Sequence, residues 1–381
     1  MNTPTLFSTL EIRAVTLPNR VVVSPMCMYS ASDGVANDFH LAHYGKFAIG
    51  GAGLVLVEAT GVTAQGRITN GCLGLWNDRQ SKALTGVAAL IKQQGSIAGI
   101  QLGHGGRKAS TQRASDGAGP LTEADLARGE MCWEVIGPSP VAFAPGWLTP
   151  REMTRGDMDM VRDAFVQAAG RAVAAGFQLI ELHMAHGYLL QSFLSPLANF
   201  RQDAYGGALE NRMRFPLEVA EAVRGALPDG MPMFCRISAV DWLDEGWQMQ
   251  DSLALASALK DLGVDVIDCS SGGNLAQGAT NSNLTRGPAF QAPFAREIRH
   301  AIGIKTQTVG LIRDAALAEK LVAEGSADLV ALGRQMLYDP FWALHARREL
   351  APLDDFGDWP TPYAWWLEKW ARGLSHSGGK V

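Results

Sequence analysis

Short runs of apolar, often β-branched residues recur along the chain between longer segments whose apolar residues follow a helical period. Each run is long enough for one buried strand, and helix-like segments lie between the runs. Regular alternation of strands and helices predicts a parallel sheet. The eight runs cover residues 20–26, 53–59, 96–102, 177–183, 232–238, 264–270, 304–310 and 327–333.

Helical periodicity marks the segments between these runs, and Gly or Pro stands near their ends. Eight strand-plus-helix units without a composition break favour a closed (β/α)8 TIM barrel, because an open doubly wound sheet usually has fewer strands and a glycine-rich first turn. We expect one domain over 1–381, with the barrel at about 20–350 and a tail at 351–381. The helical segments are 79–94, 157–175, 209–226, 251–262, 292–301 and 314–324.

Three segments lie outside the repeating units. Residues 7–20 alternate apolar and polar positions around turn residues, which predicts a β-hairpin at the N-terminal end of the barrel. Residues 105–150, after the third strand, are rich in Gly, Pro, Ser and Asp, and loops of that length are usually functional or disordered. Residues 362–374 read PYAWWLEKWARGL and form an aromatic C-terminal tail.

Composition narrows the class of protein. Of 381 residues, 47% are hydrophobic, and the net charge of −5 without a long Lys/Arg run argues against a nucleic-acid partner. The five cysteines show no Cys-x-x-Cys spacing, which fits a reducing compartment. No apolar run approaches the ~20 residues of a membrane helix, and no signal peptide is recognisable. We expect a cytoplasmic protein that acts on small molecules, with no membrane partner.

Candidate chemistry lies at the ends of the predicted strands, where the active sites of (β/α)8 barrels are built. Polar residues and glycines are concentrated there to a degree that a scaffold alone does not need. These residues are Cys27, Tyr29, Glu58, Ala59, Gln101, His104, His183, His186, Tyr188, Arg236, Ser270, Ser271, Gly310, Gly333 and Arg334.

Glycines at the last two strand ends, Gly310 and Gly333 followed by Arg334, are typical of a phosphate site, although they could equally serve tight turns beside a solvated cation. His183 and His186 could bind a metal, could be satisfied polar residues, or could be two donors aimed at a substrate oxygen. Residues alone leave these alternatives open. Tyr188 keeps its proton at neutral pH, so it is either a proton donor or a half-buried structural tyrosine.

Arg236 lies on a buried strand, and a buried cation needs an anionic or dipolar partner. That partner could be a reduced flavin or an internal carboxylate, Glu58 or Asp268. Gln101 could pair with the pyrimidine edge of a flavin or be a core amide, and Cys27 is by itself most often a small buried group.

Taken in order along the chain, these stretches resemble the Old Yellow Enzyme family of FMN-dependent ene-reductases. Within that family they are most similar to the thermophilic-like bacterial branch that includes the xenobiotic reductases. The resemblance covers nearly the whole chain. Its segments are SPMCMYSA (24–31), VEATGVTAQGRI (57–68), IQLGHGGRKA (100–109), 180–215 around HMAHGY, CRIS (235–238) and DLVALGRQMLYDPFW (328–342).

The resemblance implies FMN across the barrel mouth and no metal. Arg236 would lie near the N1 and C2 oxygen edge of the flavin, and Cys27 near its reactive edge. The remaining FMN contacts would be Ser24, Pro25, Met26, Ala59 and Gln101 beside the ring, with Gly310, Gly333 and Arg334 on the phosphate.

The resemblance also implies an NADPH dehydrogenase of the ene-reductase type. NADPH or NADH would reduce FMN, and an activated alkene such as an enone or maleimide would then accept the hydride in a ping-pong cycle. His183 and His186 would hold the substrate carbonyl, Tyr188 would donate the proton, and Tyr29 and Lys108 would line the substrate pocket. Two alternatives stay open: a non-catalytic flavin-binding or interaction protein, and a nitro-compound or nitrate-ester reductase.

In that branch the tail of one subunit reaches the active site of its neighbour. The resemblance therefore implies a homodimer or tetramer in which Trp366 enters the neighbouring site, with Arg372 as the other candidate. By spacing alone, the tail tryptophans could equally pack down a terminal helix.

Overall fold

The structure, a computed structural model, describes residues 3–276, 286–352 and 355–376. Twelve strands lie in these residues. They are β1 Leu10–Ile12, β2 Val15–Leu17, β3 Val21–Val23, β4 Leu54–Gly61, β5 Ile97–Gly103, β6 Ile136–Gly137, β7 Arg151–Glu152, β8 Leu179–Met184, β9 Met233–Ser238, β10 Val266–Ser270, β11 Lys305–Val309 and β12 Leu329–Leu332.

Eight of the described strands form a closed barrel in the order β3-β4-β5-β8-β9-β10-β11-β12, and β12 pairs back onto β3. All eight neighbouring pairs are parallel. Each of the eight apolar runs overlaps one of these strands, so the predicted TIM barrel is confirmed. Continuous apolar runs are typical of strands that are covered on both faces.

Helices follow the strands and cover the outside of the barrel. Each of the six predicted helical segments overlaps one of them. The described helices are α1 Asp38–Ile49, α2 Asp78–Gln93, α3 Glu123–Ala127, α4 Arg155–Ala175, α5 Leu189–Leu194, α6 Leu209–Ala226, α7 Met249–Asp261, α8 Ala292–Ile302, α9 Ala315–Ala323, α10 Arg334–Tyr338, α11 Trp342–Leu350 and α12 Thr361–His376.

Capping sets the boundaries of α4, which begins two residues before the predicted segment. Thr154 and Asp157 form a reciprocal capping box: the Asp157 N–H donates to Thr154 Oγ1 at 3.1 Å, and the Thr154 N–H donates to Asp157 Oδ2 at 2.7 Å. The helix ends at Gly176, whose φ of +91° suits a residue without a side chain.

Helix α1 was not among the predicted helical segments. Its buried face carries His40, His43 and Tyr44 beside Phe47, so the apolar periodicity that marks other helices is weak. Polar residues face the core here because they have partners there, including the carboxylate of Glu58.

The predicted N-terminal hairpin is confirmed as the antiparallel pair β1–β2. Its residues Ile12 and Leu17 pack with inward-facing residues of the barrel such as Leu179 and Phe234. The lower part of the barrel is therefore an apolar core, closed at the N-terminal end by the hairpin.

The long segment after β5 is ordered around short elements rather than being one irregular loop. It contains the 3-10 turns Gly106–Lys108 and Ala114–Asp116, helix α3, and the small parallel pair β6–β7. Over the described ranges, no helix is both long and apolar enough to cross a membrane.

Candidate active site

Three aromatic side chains converge just beyond the end of β8. The rings of His183 and His186 are 5.1 Å apart and nearly perpendicular, and the Tyr188 ring lies 4.9 Å from that of His183. His183 is the next-to-last residue of the strand, whereas His186 and Tyr188 belong to the turn that leads into α5. The strand end therefore brings together the three residues that the sequence selected as the reactive group.

Local hydrogen bonding assigns the tautomer of His183. The Ala185 N–H donates to His183 Nδ1 at 3.2 Å, so the neutral ring carries its proton on Nε2. Burial, together with the nearby cations Arg236 and Lys108, holds the pKa of His183 well below its ordinary value. The side chain is therefore a neutral donor at physiological pH.

His186 has an unusual backbone, with φ at +62° in the left-handed region. Two hydrogen bonds hold this conformation: the His186 N–H donates to Ser238 Oγ at 3.0 Å, and Lys108 Nζ donates to the His186 carbonyl at 2.7 Å. The ring is also anchored, because His186 Nε2 lies 2.6 Å from Ser270 Oγ. Burial lowers the pKa of His186, which is also neutral.

The resemblance implies that Lys108 lines the substrate pocket, and this stays a prediction. In the structure Lys108 Nζ donates to two backbone carbonyls, of His186 at 2.7 Å and of Gly273 at 2.9 Å. The ammonium also lies 5.1 Å from the centre of the Tyr188 ring. Loss of hydration and the charge of Arg107 lower the pKa of Lys108 to about 7. It ties together the loops that follow β8 and β10.

Two phenols and one thiol interact with each other at the site: Tyr29, Tyr188 and Cys27. Tyr29 and Cys27 follow β3 and are half-buried, as is Tyr188. Loss of hydration, with a contribution from Cys27, raises the pKa values of Tyr188 and Tyr29 well above normal. Both phenols therefore keep their protons at any physiological pH.

Glu58 organises the segment that carries these residues, a role that sequence reasoning missed. Its Oε2 accepts the Met28 N–H at 3.0 Å, and its Oε1 accepts the Tyr44 hydroxyl, also at 3.0 Å. The carboxyl is completely buried, which raises its pKa to about 7. The strand register shifts between Val57 and Thr60, and such irregularities re-aim side chains at strand ends.

Arg236 lies inside the barrel at the end of β9. Its Nη1 donates to Ser24 Oγ at 3.1 Å, and its Nε is 3.3 Å from Asp268 Oδ2. Of the two carboxylates considered from sequence, the ion-pair partner is thus Asp268. Gln101 also has a partner in the barrel, because its Nε2 donates to Glu181 Oε1 at 2.8 Å.

A cavity of about 490 Å³ extends from Arg236 to the ends of β11 and β12. Its volume lies in the range of small-molecule sites. It contains Gly310, Gly333 and Arg334, the three residues that the sequence assigned to a phosphate. Further lining residues, for which the sequence gave no specific signal, include Phe290, Gln291 and Arg313.

The geometry agrees with the comparisons to known proteins. The model of the NADH:flavin oxidoreductase / NADH oxidase family matches residues 5–352. The chain belongs to this family. The NADPH dehydrogenase of Geobacillus sp. (strain WCH70) is 44% identical over 347 residues, which are 91% of this chain and 94% of that relative. The NADPH dehydrogenase of Bacillus subtilis (strain 168) is 42% identical over 347 residues, which are 91% of this chain and 95% of that relative.

Solved structures of the same family have the same fold. Morphinone reductase superimposes with a TM-score of 0.75 at 25% identity, covering 91% of this chain and 90% of its own. The old yellow enzyme homologue from Zymomonas mobilis superimposes with a TM-score of 0.74 at 25% identity, covering 92% of this chain and 94% of its own. The resemblance to the Old Yellow Enzyme family is confirmed. The protein is an FMN-dependent oxidoreductase that uses a nicotinamide coenzyme and acts on small molecules.

The residues at the barrel mouth of this flavin oxidoreductase fit FMN. Arg236, which is almost completely buried, lines the larger cavity together with Arg334, so two guanidinium groups are available to the anionic groups of the cofactor. Gly310 has a φ of +128°, and a Cβ there would lie 2.9 Å from the Phe290 ring. Met26 packs beside Gly333, which brings the segment after β3 next to one of the glycines expected to contact the phosphate.

Ala59, His183 and Tyr188 line a second, small cavity together with Cys72 and His104. His104 was noted at its strand end, but Cys72 had no signal in the sequence. In the described part of the chain, no three His, Cys, Asp or Glu side chains are grouped as metal ligands.

Trp366 lies apart from these cavities. It is on α12, 65% exposed, and lines an apolar groove with Phe341 and Trp359. Arg372 on the same helix lies 3.7 Å from Glu368, measured from Nη2 to Oε2. Entry of either residue into a neighbouring subunit's site therefore stays a prediction.

Proposed function

We propose that this flavin oxidoreductase reduces the C=C bond of α,β-unsaturated carbonyl compounds. The observation that carries the proposal is the convergence of His183, His186 and Tyr188 at the end of β8. Two neutral imidazoles and one protonated phenol provide the donors that such a reaction requires: two for a carbonyl oxygen and one for a carbon.

His183 and His186 hold the substrate carbonyl. His183 donates from Nε2, since its Nδ1 is occupied by the Ala185 N–H. His186 donates from Nδ1 when Ser270 donates its hydroxyl proton to Nε2, 2.6 Å away. Preorganised donors of this kind stabilise negative charge that develops on oxygen, by ~2.7–4 kcal/mol for a well-placed donor.

Tyr188 protonates the α-carbon. Its raised pKa does not prevent this transfer, because the acceptor carbon becomes strongly basic once the β-carbon has received a hydride. Bound FMN supplies the hydride chemistry, accepting a hydride from NADPH or NADH and delivering one to the β-carbon. Tyr29 would line the substrate pocket, and Cys27 would lie near the reactive edge of the flavin.

The cofactor is held by residues that the sequence placed at strand ends. Ser24, Pro25, Met26, Cys27, Ala59 and Gln101 would contact the ring, with Arg236 at its pyrimidine edge. Gly310 and Gly333 would offer backbone N–H groups to the phosphate, with Arg334 as the countercharge. The common cavity of Arg236, Gly310, Gly333 and Arg334 supports this arrangement.

Enones and maleimides are the substrates that suit this arrangement, since both pair an activated alkene with a carbonyl. We further propose a homodimer or tetramer in which α12 carries Trp366 to the neighbouring subunit's site. The exposed aromatic face of α12 supports this proposal, because Trp365, Trp366 and Trp370 are each at least half exposed.

Titration of the purified holoenzyme with a para-substituted phenol tests the carbonyl site. A phenolate stacked on FMN is expected to give a broad long-wavelength charge-transfer band, and His183→Ala is expected to weaken its binding at least tenfold. Unchanged affinity in His183→Ala would reject the two-histidine site.

Separate measurement of the two half-reactions tests the proton donor. Tyr188→Phe is expected to slow reoxidation by an enone by roughly 10²–10⁴-fold while flavin reduction by NADPH stays near the wild-type rate. Tyr29→Phe is the matched control, a second phenol in the same site. A larger loss in Tyr29→Phe than in Tyr188→Phe would contradict the assignment.

A further inference from the structure

A layer of polar side chains crosses the interior of the barrel directly above the apolar core. Neighbouring strands place its members side by side: Gln101 is opposite Glu181, and Arg236 is opposite Asp268. Leu179, Phe234 and Val266 lie two residues before Glu181, Arg236 and Asp268 on the same inward face, and all three are completely buried. Solvent therefore does not reach the polar layer from below.

The layer holds two carboxyl groups and only one cation. Glu181 and Asp268 are both 0% exposed, and Arg236 is the guanidinium beside them. Glu58 is the other carboxyl group at this end of the barrel. Its oxygens already accept hydrogen bonds from the Met28 N–H and the Tyr44 hydroxyl. If both Glu181 and Asp268 were ionised, the layer would bury one uncompensated negative charge, which is very costly in an apolar surrounding.

The hydrogen bonds of Glu181 and Asp268 indicate independently that one of the two carboxyl groups is protonated. Glu181 Oε1 accepts from Gln101, but Glu181 Oε2 has no donor among the described residues, whereas Asp268 has Arg236 Nε 3.3 Å from its Oδ2 and Gln307 opposite it on β11. Buried acceptors in folded proteins nearly always have a donor. A proton on one carboxyl group would supply it, since the two side chains are hydrogen-bonding neighbours.

We propose that Glu181 and Asp268 share one proton, carried by Glu181, and act together as positioning residues for Gln101 and Arg236. Asp268 then pairs as an anion with Arg236, and the layer is electrically neutral. Burial and the charge of Asp268 raise the pKa of Glu181 well above its ordinary value, which agrees with this distribution. Glu181 Oε1 accepts a hydrogen bond from Gln101 Nε2, which fixes the orientation of the Gln101 amide. The amide oxygen of Gln101 then faces away from Glu181 as a hydrogen-bond acceptor.

The charge of the layer affects the midpoint potential of the flavin, an effect that rests on the proposed FMN site. A neutral layer below the pyrimidine edge leaves the reduced, anionic flavin without a net countercharge from the barrel interior. The single negative charge left on the pair keeps the midpoint potential of the bound FMN lower than a free guanidinium would set it, and the shared proton keeps it higher than two carboxylates would.

A double-mutant cycle in the midpoint potential of the holoenzyme tests the shared proton. The variants Glu181→Gln and Asp268→Asn are nearly isosteric with the native residues. Either single change leaves one carboxyl group, which ionises beside Arg236, so the charge and the potential are expected to stay close to wild type. The double variant leaves Arg236 alone, and its potential is expected to rise by much more than the sum of the single shifts. Single shifts that are positive and add up to the double shift would mean that both carboxylates are ionised, which would overturn the proposal.

Infrared spectroscopy of the whole protein gives a second measurement that does not depend on the flavin. A buried carboxylic acid has a C=O stretching band distinct from that of a carboxylate. The difference spectrum between wild type and Glu181→Gln is expected to contain this band at neutral pH, and so is that between wild type and Asp268→Asn. Glu58→Gln is the control for the other buried acid. A difference spectrum without the band would reject the shared proton even if FMN binds, whereas a protein with the band but without FMN would instead reject the proposed cofactor site.

Discussion

Ser270 is decisive at the scale of single residues, because its hydroxyl selects the tautomer of His186. Ser271 donates to Gln291 Oε1 at 2.6 Å, and Ser270 lies 3.4 Å from the same oxygen but 2.6 Å from His186 Nε2. The Ser270 proton is therefore directed to the imidazole, which keeps Nδ1 protonated. Ser270→Ala removes this control, and we expect phenolate affinity to fall about tenfold, as the loss of one hydrogen bond of ~1.4 kcal/mol implies.

The matched control for this prediction is Ser271→Ala. It removes a neighbouring hydroxyl that donates to Gln291 and, within the described residues, makes no hydrogen bond to the histidine. Affinity is measured by spectral titration with a phenol in both variants. Equal weakening in the two serine variants would show that the effect comes from Gln291 and the cavity wall instead of from His186.

Glu58 gives the protein a pH-dependent stability. Its pKa rises from 4.5 to about 7 on folding because the carboxyl is buried. The folded state therefore holds a proton that the unfolded state has lost, and this contribution to stability disappears as the pH rises from the unfolded to the folded pKa. Relative to wild type, Glu58→Gln is expected to gain roughly 2–3 kcal/mol between about pH 5 and pH 8, using 1.36 kcal/mol per pKa unit.

Denaturant unfolding of both proteins with excess FMN, repeated across that pH range, measures the difference. Only the change with pH is diagnostic, since the amide also alters the bonds to Met28 and Tyr44 at every pH. A difference that stays flat would indicate that Glu58 is already ionised in the folded protein.

At the scale of elements, Lys108 joins the loops after β8 and β10. Its ammonium satisfies the carbonyls of His186 and Gly273, and a buried carbonyl left without a donor costs about 1–3 kcal/mol. Lys108→Met is therefore expected to lower the free energy of unfolding by about 2 kcal/mol or more. It is also expected to weaken phenolate binding, because the left-handed backbone of His186 loses one of its two restraints.

Lys260→Met is the matched control for Lys108→Met. Lys260 also donates to a backbone carbonyl, that of Ile302 at 2.7 Å, but this bond is exposed to solvent. Its loss is expected to change stability by about 0.5 kcal/mol or less. Similar losses for both lysines would mean that Lys108 does not hold the loops in place.

The sequence predicted the elements better than their boundaries. Apolar runs located every barrel strand, since burial on both faces leaves a signal that is local. Helix α1 was not recognised, because its buried face is built from His40, His43 and Tyr44, whose partners lie on other elements. The start of α4 was missed by two residues, although the Thr154 and Asp157 capping box is readable in the sequence.

At the scale of the whole molecule, the position of the site could be predicted because every parallel strand ends at the same rim. That rule selected His183, Tyr188 and Arg236 from separate parts of the chain. It could not predict the contacts that support them. Lys108 is 165 positions from Gly273, and only the closed barrel brings the two together. The proposed role of Trp366 involves a neighbouring subunit, so the contacts within one chain do not test it.

Subunit complementation tests the proposed exchange of the tail. Trp366→Ala has an intact Tyr188 but a defective tail, and Tyr188→Phe has the reverse. If the tail completes the neighbouring site, a co-expressed mixture of the two contains sites with both residues intact, about a quarter of all sites in a randomly assembled dimer. We expect enone reduction by the mixture to exceed the mean of the two parent variants clearly. If Trp366 only packs against Phe341 and Trp359 of its own chain, no intact site can form by mixing, and activity stays at that mean.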